Sequence, residues 1–144
     1  MQTVEQVQEE IVEEFSLFDD WMDKYALIIE QGNSLEELDE KYKTLENIIK
    51  GCQSRVWLHT DYKDGRLYFK AESDAVIVKG LLALVLKVFS GRTPDEIIDT
   101  KLHFIEDIGL TEHLSPTRSN GLLSVIKQIQ FYAIAYKAKE QQGE

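Results

Sequence analysis

An α+β fold follows from three features of this 144-residue chain. Apolar residues first recur every three or four positions, then alternate over residues 55–71, then return to helical spacing. Helices on both sides of a run of strands make an α+β domain. An Asp64-Gly65 pair between two alternating runs is a strong hairpin signal. The length suits one hydrophobic core, so a single domain over residues 1–144 is expected, with a small three-stranded antiparallel sheet packed against helical N- and C-terminal segments.

The N-terminal elements are helical. Thr3 and Gln6 stand at capping-box spacing, and Val4, Val7, Ile11, Phe15 and Phe18 supply the apolar stripe of a first helix. Glu9, Glu10, Glu13 and Glu14 form its solvated face. Trp21, Tyr25 and Ile28, flanked by Met22, Ala26 and Ile29, predict a second helix that stops near Gly32 through a left-handed cap. Ser34 and Glu37 have capping-box spacing for a third, short helix carrying Leu35 and Leu38.

The period then changes. Residues 47–50 are read as a short first strand, and residues 55–62 as a second with Val56, Leu58, Thr60 and Tyr62 on one face. Leu67, Phe69 and Ala71 continue that apolar face on the strand returning from Asp64-Gly65. Ser73 or Asp74 suits the N-cap of a helix over residues 76–89 that is apolar around most of its circumference, the expected buried helix. Thr93-Pro94-Asp95-Glu96 opens a short helix with cap, first-turn proline and boxing glutamate. Phe104, Ile105 and Ile108 make a turn or short helix. Ser115-Pro116 opens the last helix, with Leu122, Ile126, Ile129, Ala133 and Tyr136 as its stripe, and residues 137–144 are expected to fray.

Composition excludes several functions. A net charge of −10 opposes binding to nucleic-acid phosphates. The N-terminus lacks the basic and apolar regions of a secretory signal, and no apolar run reaches spanning length, so a cytoplasmic protein without membrane partners is expected. One cysteine permits no internal disulfide and cannot by itself scaffold an iron–sulfur cluster or a structural zinc site.

That cysteine, Cys52, sits between Gly51 and the polar pair Gln53-Ser54. The setting suits an exposed loop tip, where a thiolate is reached by a second reactant; an unreactive, half-buried thiol is the alternative. The stretches Gly51-Cys52-Gln53-Ser54-Arg55-Val56-Trp57, Ser73-Asp74-Ala75-Val76-Ile77-Val78-Lys79-Gly80-Leu81 and Leu114-Ser115-Pro116-Thr117-Arg118-Ser119-Asn120-Gly121-Leu122 together resemble the SufE family of sulfur-acceptor proteins. The resemblance implies that Cys52 accepts persulfide sulfur from a SufS-like, pyridoxal-phosphate-dependent cysteine desulfurase and stimulates that enzyme. It implies further that the sulfur passes to a downstream iron–sulfur scaffold, with no cofactor held by this chain. On this reading the protein is a co-catalyst and not a complete enzyme.

Around Cys52, Gly51, Gln53 and Ser54 are either supports that aim backbone N–H groups at the sulfur or plain turn residues. Asp74 is read chiefly as a helix cap. Arg118 falls in the first turn of a helix, where the dipole disfavours a cation, so it calls for a compensating carboxylate, such as Asp74, or for a role toward the sulfur loop or partner. His59, His103 and His113 match no metal or Cys–His pattern. Two other readings stand: a stand-alone thiol peroxidase or hydrolase, for which no second cysteine is present, and an adaptor that activates the desulfurase by contact alone. Because an exposed persulfide is lost to passing thiols, the Cys52 side chain is expected to rest toward an apolar hollow and to turn outward on docking.

Overall fold

The computed structural model describes residues 2–50 and 54–143. Helix α1 spans Val4–Ser16, and its capping box forms as the spacing predicts: Gln6 N–H donates to the Thr3 hydroxyl while the Gln6 side chain accepts from Thr3 N–H. Val7, Ile11 and Phe15 are buried along one stripe, and Gln8 is buried with them. That glutamine is satisfied across the fold, donating to Lys101 O and accepting from His103 N–H and Phe104 N–H, as a buried amide must be.

Helix α2 spans Trp21–Asn33, capped at its start by the Asp20 carboxylate. Its end corrects the sequence reading, because Gly32 lies inside the helix and the C-cap is Ser34 in right-handed conformation. Gly32 serves packing instead, since a Cβ there would lie 3.0 Å from Gly80 N. The helix expected after Ser34 does not form either. The Ser34 hydroxyl donates back to Gln31 O and so caps nothing downstream, and the chain makes only a 3₁₀ turn, Glu40–Tyr42, capped by Asp39.

The hairpin forms in the expected register. Strands β1 (Val56–Lys63) and β2 (Arg66–Ser73) pair antiparallel from Val56 with Ser73 to Lys63 with Arg66. Asp64 and Gly65 both take positive φ, 52° and 79°, as a two-residue type I′ turn requires. The third strand is absent: among the described residues the sheet has two strands, and residues 47–50 contribute one isolated bridge, Ile48 to Trp57. The physical reason is length, since only Ile49 N–H to Val56 O and Leu58 N–H to Asn47 O hold that segment to β1.

Helix α3 (Val76–Phe89) is the buried helix, with Leu82, Val85, Val88 and Phe89 fully enclosed. It is apolar on nearly every side because α2 covers one side and the inward face of the hairpin, Leu67, Phe69 and Ala71, covers another. Each such leucine or valine contributes about 1.5–3 kcal/mol relative to exposure. Helix α4 (Pro94–Asp99) starts with the predicted Thr93–Glu96 box. Two single turns follow, α5 (Phe104–Asp107) and α6 (Leu110–His113), separated by Gly109 at φ 83°.

Helix α7 (Pro116–Gln141) buries Leu122, Val125, Ile129 and Ala133, with Ile126 and Tyr136 packed at the margin. It continues through most of the segment expected to fray. Lys137 pairs with Asp95 at 2.6 Å, Tyr62 stacks on Tyr136, and the Tyr62 hydroxyl bonds Glu140, so the last turns are tied to α4 and the hairpin. No helix among the described residues is long and apolar enough to cross a membrane.

Candidate functional site

Cys52, Gly51 and Gln53 lie outside the described residues, and with them the expectation that the thiol rests in an apolar hollow. The chain on either side of them is held firmly. On the N-terminal side, Ile49 is buried and its N–H donates 2.8 Å to Val56 O. After it, Arg55 N–H donates 3.1 Å to Asp74 Oδ1, and Asp74 N–H returns a bond of 3.3 Å to Arg55 O. Asp74 is therefore not the cap of α3. The N-cap is Ala75, which has no side-chain acceptor, and the Ser73 hydroxyl accepts instead from Ala75 N–H. Asp74 extends the hairpin ladder by one residue and so pins the chain one residue beyond Ser54.

Ser54 opens into a cleft of about 270 Å³. One wall is Val56 of β1 together with Val78, Leu81 and Leu82 of α3. The opposite wall is the start of α7, where Gly121, Leu122 and Val125 continue the apolar lining and Ser115, Thr117 and Arg118 form a polar rim. This places residues from all three sequence stretches singled out above, Ser54, Val78 and Arg118 among them, around one space. The grouping is a product of the fold: α3 packs on β2, α7 touches β1 and packs on α4, and α3 and α7 touch each other.

Arg118 occupies the third position of α7, its N–H donating 3.3 Å to the Ser115 cap hydroxyl. Its side chain is exposed, and among the described residues no carboxylate pairs with it. The compensating ion pair with Asp74 does not form; that carboxylate holds Arg55 N–H instead. A cation at this helix end costs a few tenths of a kcal/mol, roughly, and here it stands over the mouth of the cleft. An apolar interior with a cationic, hydroxyl-bearing rim suits a small polarizable group with an anionic end.

None of the three histidines lines the cleft. The His59 ring stacks 3.6 Å on Tyr42 and meets Asp61 at 3.1 Å. His113 stacks 3.7 Å on Trp21. His103 bridges two helices, Nδ1 to Asp107 at 2.5 Å and Nε2 to Glu5 at 2.7 Å. The Asp107 hydrogen bond, with Glu5 adding to it, holds the His103 imidazolium at a pKa above the ordinary histidine value. Among the described residues no group of histidines and carboxylates forms a metal site. The apolar walls from α3 and α7 escaped the sequence reading because core-facing and cleft-facing positions have the same helical spacing.

The SufE model, described as an Fe-S metabolism associated domain, matches residues 9–133. An uncharacterized SufE-like protein of Rhizobium meliloti is 46% identical over 128 residues, 85% of this chain and 91% of that protein. One from Rhizobium etli is 44% identical over 128 residues, covering 85% of this chain and 86% of its own length. One from Synechocystis is 37% identical over 134 residues, 93% of this chain and 84% of the relative. The solution structure of a hypothetical protein from Thermus thermophilus shares the fold at a TM-score of 0.74, over 90% of this chain and 94% of that one, at 18% identity.

Proposed function

This chain belongs to the SufE family, associated with Fe–S metabolism, and from that membership we propose that Cys52 is a persulfide acceptor serving a pyridoxal-phosphate-dependent cysteine desulfurase. The Cys52 thiolate attacks the outer sulfur of the desulfurase persulfide. The S–S bond of the donor breaks as the new S–S bond forms, the donor cysteine leaves as thiolate, and the proton stays on the transferred sulfur. The step needs no metal and no cofactor on this chain. The acceptor then passes its sulfur onward for iron–sulfur assembly in the cytoplasm.

The observation that supports the reading is the cleft lined by Ser54, the first described residue after Cys52. Ser54, two residues after Cys52 in the sequence, forms part of its lining. An apolar lining excludes the water and small thiols that strip a persulfide, while Arg118 over the mouth favours an anionic sulfur. Asp74 acts as a positioning residue by fixing the chain after Ser54.

Mass spectrometry after mixing the protein with a cysteine desulfurase and free cysteine tests this. One added sulfur on Cys52, absent from Cys52→Ser, is the expected result. Stimulated desulfurase turnover with no sulfur on Cys52 identifies a contact-only adaptor. Peroxide or ester turnover by the protein alone identifies a thiol enzyme.

A further inference from the structure

The isolated bridge that precedes Gly51 and Cys52 in the sequence leaves a β-type edge open. Ile48 and Trp57 face each other between two bonds, Ile49 N–H to Val56 O at 2.8 Å and Leu58 N–H to Asn47 O at 2.9 Å. They are therefore a non-hydrogen-bonded antiparallel pair, whose own N–H and C=O point away from the shared ladder. For Trp57 that outer side is filled by β2. For Ile48 it is not: among the described residues neither its N–H nor its C=O makes a hydrogen bond.

The same segment walls a groove of about 420 Å³, with Leu45, Ile48 and Lys50 on one side and Ser124, Gln128 and Tyr132 of α7 on the other. This volume lies within the roughly 300–1,000 Å³ typical of binding sites. Its lining is that of a main-chain site. The Gln128 amide and the Tyr132 hydroxyl form no hydrogen bond to a described residue, and Leu45, 87% exposed, stands at the rim as an apolar contact. Unpaired edges pair with extended chain, whose backbone supplies the matching acceptor and donor. Lys50, which lines the groove, directly precedes Gly51 and Cys52 in the sequence.

We propose that this edge takes an extended segment of the sulfur-exchanging partner protein as an added strand, laid between residues 47–49 and α7. The identity of the partner rests on the sulfur-acceptor reading; the edge and groove do not. The added strand sets the partner's chain beside Lys50, two residues before Cys52 in the sequence, so that docking brings the partner to the segment that carries the thiol.

Amide hydrogen exchange of Ile48 tests the proposal in the intact protein. With a saturating cysteine desulfurase, Ile48 N–H exchange is expected to slow at least about tenfold, while the amides of the Asp64-Gly65 turn stay unchanged. Ile48→Pro removes that N–H and leaves the inward bonds of Asn47 and Ile49; it should bind the enzyme about tenfold more weakly than Ile48→Val, with equal melting temperatures. Unprotected Ile48 in a saturated complex overturns the proposal, as does protection that appears in concentrated protein without the enzyme, which would assign the edge to a second copy of this chain. If Ile48→Pro does not fold, the exchange result on the unaltered protein decides alone. Sulfur appearing on Cys52 with Ile48 unprotected defeats the docking edge and leaves the sulfur-acceptor reading intact; protection of Ile48 with no sulfur on Cys52 does the reverse.

Discussion

Gly80→Ala is the sharpest test of how the helices are packed behind the cleft. Gly80 lies in α3 between Val78 and Leu81, both cleft residues, and its outer side is pressed against α2. A Cβ at this position would lie 2.0 Å from Ile28 O and 2.7 Å from Ile28 C, where ordinary contact begins at 3.4 Å. The nearest of the obstructing atoms is backbone, so an Ile28 rotamer change that moves its Cγ2, 2.6 Å away, does not relieve the clash, and the helices must part by more than 1 Å, roughly. Parting them uncovers Ile28, which is fully buried. Overpacking of this kind costs about 1–3 kcal/mol, toward the upper end when backbone must move, and the gain from placing alanine in a helix offsets about 1 kcal/mol. A net loss of about 2 kcal/mol is expected, which for a domain of this size lowers the melting temperature by roughly 6–8 °C. Urea unfolding followed by circular dichroism should show a lower midpoint at unchanged slope. Gly32→Ala, with its nearest contact at 3.0 Å, should lose less. A Gly80→Ala protein as stable as the parent, or more so, refutes the close crossing, because only the helix-propensity gain would then be acting.

Arg118→Ala should leave the unfolding free energy unchanged or raise it by a few tenths of a kcal/mol, roughly, since the cation has no ion pair among the described residues and stands at the wrong end of a helix. The same variant should slow sulfur transfer from a desulfurase while Cys52 keeps its alkylation rate with iodoacetamide. A loss of stability with full transfer would make Arg118 structural only. Asp74→Ala should slow transfer and lower stability by about 0.5–1.5 kcal/mol through the lost acceptor for Arg55 N–H, and Asp74→Asn, which keeps a carbonyl in place, should restore most of both. Failure of the asparagine to rescue transfer would mean that the charge matters and the tether does not. His103 sets a pH dependence. Its folded pKa is raised, chiefly by Asp107, so its contribution is present in full below the unfolded value of about 6.5 and is lost as pH rises through the higher folded value. With the side chain more than a third exposed, solvent screening limits the effect to about 0.2–1 kcal/mol. Stability measured from pH 6 to 9 should fall less steeply in His103→Gln, and identical profiles would remove the ion pairs from the account.

Local chemistry was legible where neighbours in sequence are neighbours in space. The Thr3–Gln6 and Thr93–Glu96 boxes, the Asp64-Gly65 turn and the Ser115-Pro116 start of α7 each rest on groups within three residues of one another, and each forms as its spacing requires. The buried helix 76–89 was equally plain, because a run apolar on every side has nowhere to go but the interior. What went otherwise involves partners far along the chain. Gly32 has the look of a helix cap, yet its value is that it lets α2 approach Gly80, 48 positions later. Ser34 with Glu37 has the spacing of a box, but its hydroxyl is already taken by Gln31 O. Asp74 precedes a helix and still caps nothing, because the backbone of Arg55, brought beside it by the hairpin, offers an N–H that it accepts. The tail beyond Lys137 is polar enough to fray and is held by Asp95 and Tyr62. The candidate site follows the same division. The residue types around Cys52 and the Arg118 motif can be read in order along the chain, whereas the cleft joining Ser54 to α3 and α7 exists only once the hairpin has folded back and given both helices one surface to pack against, since burial of an apolar face specifies that it must be covered but not by which distant residues.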